Sequence, residues 1–287
     1  VEGFDPATVT QTVNKWIVGE VARTAAKVTE EIEAYRYNEA AGANYRFVWN
    51  VFCDWYLEFI KPLLLGSDEA AKAETRATAA WVLDQILLIL HPFMPFMTEE
   101  LWATTAGPAR KGLLVTAAWP NLSSLGDAAA DAEMNWVTRL ISDIRSVRAE
   151  MNVPAGAKIP MFIKGASPES LERLARHKDL ILRLARLSSA DATDATPAGA
   201  LQIVLDEATV LLPVADVVDF KTETARLTKE LGKLEGEIGK IDAKLGNEKF
   251  LSSAPEEIVE EQRERKMEAE AARTRLTAAL KMLEGAG

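Results

Sequence analysis

The 287-residue sequence contains little of the chemistry on which most enzymes depend. It has one cysteine, Cys53, and two histidines, His91 and His177. A single cysteine can form neither a disulfide within the chain nor a cysteine zinc site. The sequence has no glycine-rich phosphate loop, no cluster of metal ligands and no serine or cysteine close to a histidine. We therefore predict no catalytic residue, no metal site and no bound cofactor in it.

Long apolar runs are also missing. The most apolar segment, residues 86–90, is far shorter than the roughly 20 residues that span a bilayer. Residues 1–6 do not resemble a signal peptide, and a reducing cytoplasm suits the single cysteine. We therefore expect a cytoplasmic protein without a membrane partner. Because residue 1 is not methionine, we also expect the sequence to be part of a longer protein.

Basic residues do not outnumber acidic residues in any of three consecutive blocks of the chain. The formal charge is −10, with Lys+Arg against Asp+Glu at 10 to 15 in residues 1–120, 10 to 14 in 121–220 and 13 to 14 in 221–287. A nucleic acid could therefore be bound only by local stripes of basic side chains on an acidic body.

Helical periodicity dominates the first 150 residues. We predict helices over 6–35 with an N-cap at Asp5, over 35–62, over 68–91, from Thr98 onward and over 131–151, and an extended segment over 113–120. The second of these is apolar around more than half its circumference, so we expect it at the centre of a bundle. Its predicted buried face contains Tyr45, Val48, Trp49, Phe52, Tyr56, Phe59 and Ile60. For the third helix, the predicted buried stripe consists of Ala73, Ala77, Ala80, Trp81, Asp84 and Leu88.

The pattern changes after residue 153. We predict a strand over 158–164, a helix over 169–187, a loop over 188–199 and a hairpin over 201–214 that turns at 206–208. Heptad spacing then begins at Phe220 and continues to Leu245, and a second seam extends from Ile258 through Arg265 to Leu283. Two seams joined by about ten residues predict an antiparallel coiled-coil hairpin.

The predicted fold class is mainly α, in three parts. Residues 1–125 form a helical bundle, 126–219 a helix with a small α+β connector, and 220–287 the coiled-coil arm. Arg145 and Arg148 are predicted on a solvated face beside Asp143 and Glu150, with a nucleic-acid contact as the alternative. His91, which has no catalytic partner nearby, is predicted to be structural.

Four runs of this sequence resemble the tRNA-binding parts of class I aminoacyl-tRNA synthetases, and valyl-tRNA synthetases most closely. They are RYNEAA at 36–41, FVWNVFCDWYLEFIKP at 47–62, HPFMPFMTEELW at 91–102 and LGNEKFLSSAP at 245–255. The resemblance implies an anticodon-binding bundle, a connector and a coiled-coil arm that lies against the outer corner of tRNA(Val). The parent enzyme would use ATP with Mg for aminoacylation. The family's HIGH and KMSKS signatures are absent here, so this part is expected to hold tRNA rather than catalyse the reaction.

The resemblance also implies the tRNA contacts. Lys15 and Trp16 match the start of the family's helical domain, except that Asn14 replaces an aspartate, and they are expected near the anticodon. An aromatic ring can stack on an unpaired base, and packing of Trp16 in the bundle is the alternative. The outer-corner candidates are basic residues of the arm: Lys233, Lys240, Lys244, Lys249, Arg263, Lys266 and Arg273. Pairing with neighbouring glutamates is the alternative for each.

Other interpretations compete with this one. The related isoleucyl enzymes of bacteria commonly end in a cysteine-rich zinc module, and leucyl enzymes do not usually end in a long coiled-coil hairpin. A helical scaffold that dimerises through its coiled coil is a further possibility, which the acidic charge favours. We expect a monomer that binds tRNA and not DNA. A mass that depends on concentration would favour the scaffold, and a salt-sensitive RNA complex would favour tRNA binding.

Overall fold

The computed structural model describes residues 3–106, 110 and 112–286, and it divides into two compact units. The first unit extends to Thr138 and the second begins at Arg139. The predicted fold class, mainly α with a small α+β region, is confirmed. The predicted boundaries at 125/126 and 219/220 stay predictions. No helix in the described ranges is both long enough and apolar enough to cross a membrane.

The first unit is built from helices and short turns. Its elements are a 3-10 turn at Pro6–Thr8, α1 (Thr12–Glu33), α2 (Tyr37–Arg46), a π-helical segment (Phe47–Tyr56), α3 (Leu57–Phe59), α4 (Lys61–Leu65), α5 (Glu69–Leu90), α6 (Pro95–Ala106), a 3-10 turn at Leu114–Thr116 and the first part of α7 (Ala128–Glu150). One hydrophobic core cluster joins α1, α2 and α5, through Ala25, Val28, Ala40, Ala43 and Ile89.

The first helix begins later than predicted. Asp5 caps only the short 3-10 turn, and α1 starts at Thr12. The backbone N–H groups of Thr10 and Gln11 donate to the carboxylate of Glu74 on α5, each at 2.9 Å. Because this acceptor comes from another helix, the local sequence contains no signal for the true start.

The run predicted as one central helix contains a π-helical segment, and its buried face differs from the prediction. Tyr56, Phe59 and Ile60 are buried as predicted, but Tyr45 and Trp49 are exposed, and Phe47, which lies outside the predicted face, is buried. A π-helix bonds residue i to i+5, which adds a residue to each turn. The 3.6-residue wheel therefore does not hold within this segment, and the prediction that Tyr45 and Trp49 are buried is wrong.

Helix α5 has nearly the predicted bounds, and its predicted stripe is buried only in part: Trp81 and Asp84 are buried as predicted. Ala73 and Ala80 are exposed, whereas Thr75 and Thr78 are buried. Alanine and threonine are both small, so apolar periodicity could not distinguish these two faces.

Helix α6 begins at Pro95 and not at Thr98 as predicted. Proline suits the first helical position because that residue needs no backbone N–H donor. Thr98 is buried one turn inside the helix, and its Oγ1 lies 2.7 Å from Nδ1 of His91. This contact fits the predicted structural role of His91. The extended segment predicted over 113–120 is wrong in part, since the 3-10 turn Leu114–Thr116 interrupts it.

The second unit contains a four-stranded mixed sheet beside two short helices. Its elements are β1 (Ile159–Lys164), α8 (Pro168–Arg176), α9 (Lys178–Ala185), β2 (Leu187–Ala192), β3 (Ala200–Leu205) and β4 (Ala208–Pro213). The strand order is β2-β1-β4-β3, with β1 and β2 parallel and the other pairs antiparallel. The predicted strand and hairpin are confirmed. The prediction missed β2 because its sequence, LSSADA, has no apolar alternation.

The arginines at the end of α7 donate hydrogen bonds to backbone carbonyls within the second unit. Arg145 Nε donates to the carbonyl of Leu184 at 2.9 Å. The buried Arg148 donates to the carbonyls of Ala157 at 2.7 Å and Pro154 at 3.3 Å. The predicted solvated pairing with Asp143 and Glu150 is therefore wrong for Arg148, because its guanidinium is used to bond backbone carbonyls.

The chain ends in a helical hairpin, as predicted. It consists of α10 (Phe220–Leu245), the short α11 (Glu248–Ser253) and α12 (Glu256–Ala286). Leu227, Ile238 and Ile241 are buried in the seam of α10. On α12 the predicted seam is wrong at Ile258 and Arg265, which are exposed. Val259 is buried instead of Ile258, whereas Gln262, Ala269, Ala279 and Leu283 are buried as predicted.

Candidate nucleic-acid interface

Lys15 is held in an ion pair at the start of α1. Its Nζ lies 3.1 Å from Oδ2 of Asp127, and both side chains are partly buried. Asp127 also accepts the N–H groups of Ala129 and Ala130, each at 3.0 Å, at the start of α7. The Ala130 N–H, together with Lys15, holds the pKa of Asp127 below its usual value. Lys15 therefore ties two helix starts together, and its charge is already compensated.

Trp16 is a core residue. Its ring is only 3% exposed and packs against Phe59, with the ring centroids 5.7 Å apart. A base can stack only on an exposed ring face, so the geometry favours the packing alternative for Trp16. The apolar periodicity of the predicted first helix already places Trp16 on its apolar face and Lys15 off it, and the structure agrees.

Three predicted lysines follow one exposed stripe of α10. Lys233, Lys240 and Lys244 are exposed, and no carboxylate of the described residues lies within 4.0 Å of their amines. Steps of seven and four bring side chains to one helix face. Their charges are thus available to an external anion.

A fourth lysine extends this stripe and was missed. Lys229 precedes Lys233 by four residues, is exposed and likewise has no ion pair within the described ranges. We call Lys229, Lys233, Lys240 and Lys244 the lysine stripe. At 1.5 Å per residue it is about 22 Å long. The step of four that links the other pair would have identified Lys229.

Neighbouring acids do not compensate the lysine stripe, because they pair with other cations. Glu230 pairs with Arg226 at 2.8 Å, and Glu237 pairs with Arg265 of α12 at 2.8 Å. The hydrogen bond from Arg226 to Glu223 is the largest of the effects that raise the pKa of Arg226. This arrangement leaves an uncompensated positive line on an otherwise acidic protein.

The predicted basic residues of α12 fall into two groups. Arg263 pairs with Glu260 at 3.2 Å, as the glutamate alternative predicts, and Lys266 pairs with an aspartate, Asp242, at 2.6 Å. Arg273 is exposed and unpaired among the described residues. The side chain of Lys249 lies outside the described ones, and its predicted contact stays a prediction.

Comparison with known families agrees with this geometry. Residues 14–163 match the family described as the anticodon-binding domain of tRNA ligases. This match covers more than half of the chain, and the chain therefore belongs to that family. Residues 219–284 match the family described as the valyl tRNA synthetase tRNA binding arm, which includes the whole lysine stripe.

Individual relatives of this chain are named as valine–tRNA ligases. The chain is 58% identical over 290 residues to the valine–tRNA ligase of Caulobacter vibrioides, covering 100% of this chain and 32% of the relative. It is 53% identical over 277 residues to that of Mesorhizobium japonicum and 50% over 278 residues to that of Brucella melitensis, covering 96% of this chain and 30% of each. The predicted resemblance to valyl-tRNA synthetases is confirmed. The chain spans about a third of the length of these relatives.

Proposed function

We propose that this chain is the tRNA-holding part of a valine–tRNA ligase. In this proposal the first unit receives the anticodon loop of tRNA(Val), and the arm contacts the outer corner of the same molecule. Aminoacylation with ATP and Mg takes place in a region beyond these residues. The observation that carries the proposal is the uncompensated lysine stripe on a segment that matches a tRNA-binding arm.

The physical basis of the arm contact is counterion release. Each lysine that neutralises a phosphate releases a condensed cation, so affinity falls as salt rises. The stripe is about 22 Å long, which is long enough to follow several phosphates of one strand. Its positive charge acts locally, which is how a protein of charge −10 can bind RNA.

The scaffold alternative has less support. The core of a dimer interface is depleted of charged residues such as lysine, and the exposed side of α10 presents lysines instead. A monomer in the cytoplasm, without DNA or a membrane as partner, belongs to the proposal.

Charge reversal on the arm tests the proposal. We expect the double variant Lys240→Glu/Lys244→Glu to weaken binding of a valine tRNA transcript and to reduce the slope of log K against log salt by about 2, one for each lost phosphate contact. The matched control is Lys221→Glu/Lys281→Glu, which makes the same charge change on exposed positions off the stripe. Equal effects of the two variants would mean that net charge, and not the stripe, governs binding. No effect of either would contradict the arm contact.

A further inference from the structure

One face of α2 and the π-helical segment presents aromatic rings to solvent. Tyr37, Tyr45 and Trp49 are 53%, 63% and 54% exposed. Tyr37 lies about two turns before Tyr45 on α2, and the rings of Tyr45 and Trp49 are in contact across the junction with the π-helical segment. The centroids of Tyr45 and Trp49 are 6.4 Å apart, with their planes inclined by 50°. We call these three residues the aromatic stripe.

Trp49 is the most exposed tryptophan of the protein, at 54% against 39% for Trp119. Trp16, Trp81 and Trp136 are all buried. Leaving a large ring in water forgoes the stabilisation that burial would provide. A row of such rings on one face is a feature that marks interaction sites.

Hydrogen-bonding side chains follow each ring in sequence. Asn38 follows Tyr37, Arg46 follows Tyr45 and Asn50 follows Trp49, and all three are exposed. Within the described part of the chain, no carboxylate lies within 4.0 Å of the Arg46 guanidinium, and the Asn50 side chain makes no hydrogen bond. A second line of polar groups thus runs beside the rings.

Arg46 also lies across Gly42. A Cβ added at Gly42 would lie 3.1 Å from Nη1 of Arg46, closer than side chains normally approach. The small residue at position 42 therefore lets the guanidinium lie close along the helix.

We propose that the aromatic stripe stacks unpaired bases of the anticodon loop, with Arg46 at a phosphate and the asparagines at base edges. This inference rests on the proposed function, and it replaces Trp16 with an exposed stacking surface. Aromatic rings beside an arginine are the combination that single-stranded RNA needs, because every base has a face that can stack. Twelve residues of helix span about 18 Å, enough for several stacked nucleotides.

An exposed aromatic elsewhere in the same unit has a different character. Phe96 on α6 is 91% exposed, and its exposed neighbours Met94 and Met97 are apolar. No cation or amide flanks it in sequence, so this surface fits protein rather than RNA. Phe96 is therefore the matched control for the aromatic stripe.

The test uses the 287-residue chain and a labelled RNA hairpin that carries only the anticodon stem and loop of valine tRNA. We expect Trp49→Ala and Tyr45→Ala each to weaken binding by about 5- to 150-fold, without changing the salt slope because stacking is not ionic. Trp49→Phe should restore most of the affinity. Arg46→Ala should reduce the slope by about 1, and Phe96→Ala should have no effect. Unchanged melting temperatures confirm that each variant is folded, since all these side chains are exposed.

Several outcomes would overturn the inference. If the wild-type chain binds the hairpin and both alanine variants bind it equally well, the stripe does not stack bases and serves a protein contact. If Phe96→Ala weakens binding as much as Trp49→Ala, the surface has been assigned incorrectly. If whole tRNA binds but the hairpin does not, the stripe fails while the proposed arm function survives. If neither RNA binds, both fail.

Discussion

Replacing Glu74 with glutamine should destabilise the first unit by roughly 1.5–3 kcal/mol, the range for losing a hydrogen bond to a charged group. Oε2 of Glu74 accepts the N–H and hydroxyl of Thr10 at 2.9 and 2.6 Å, and Oε1 accepts Gln11 N–H and Asn14 Nδ2, both at 2.9 Å. Glutamine keeps one oxygen as an acceptor, but an NH2 group replaces the other oxygen. That NH2 group is a hydrogen-bond donor, and it would face the donors that the lost oxygen had accepted. The start of α1, where Lys15 lies, would then lose its cap.

This effect should depend on pH. Burial raises the pKa of Glu74, but the hydrogen bonds from Thr10, Asn14 and Gln11 outweigh it, so the pKa lies below its usual value. A carboxyl group with a lowered folded-state pKa contributes stability above its unfolded pKa, about 4.3, and loses it as the pH falls through the folded value. The difference between wild type and Glu74→Gln should therefore shrink below about pH 4.3.

Tryptophan fluorescence during urea denaturation measures this effect selectively. All seven tryptophans lie between residues 16 and 136, within the first unit. The control is Glu33→Gln on the exposed surface of α1, for which we expect a change within about 0.5 kcal/mol. A Glu74→Gln variant as stable as the control at pH 7 would refute the assignment of Glu74 as the cap of α1.

Two further stability predictions concern one residue in each unit. Arg148→Met should destabilise the second unit by roughly 1–3 kcal/mol, because buried carbonyls lose their donor; circular dichroism should detect this, and unchanged denaturation would contradict it. Tyr56→Phe removes the 3.0 Å hydrogen bond from the Tyr56 hydroxyl to Asn14 Oδ1 in the buried centre of the first unit. It should lower the free energy of unfolding by about 1 kcal/mol, as measured by tryptophan fluorescence. A change near zero would contradict a stabilising role for that bond.

The parts of the fold that the sequence predicted well depend on local periodicity. The coiled-coil hairpin follows from heptads, and β1 and the β3–β4 hairpin follow from alternation. The π-helical segment could not be predicted in this way, because a wheel of 3.6 residues per turn buries Trp49 whereas i→i+5 bonding exposes it. The start of α1 was missed because its cap, Glu74, lies about 60 residues away in sequence.

In the candidate site, too, local periodicity predicted some features and long-range contacts determine the others. The spacing of Lys233, Lys240 and Lys244 placed them on one face without further information. Whether a charge is free depends on the opposite helix: Lys266 is compensated by Asp242 of α10, across the hairpin. The burial of Trp16 similarly depends on Phe59, which is distant in sequence. Long-range contacts therefore decide which basic and aromatic side chains can reach RNA.

The most direct test of the central claim is a titration of this chain with valine tRNA and with isoleucine tRNA, each at low and at moderate salt. We predict tighter binding of valine tRNA, with affinity that falls as salt rises. Equal and weak binding of both tRNAs at low salt would contradict the claim that these residues hold tRNA(Val).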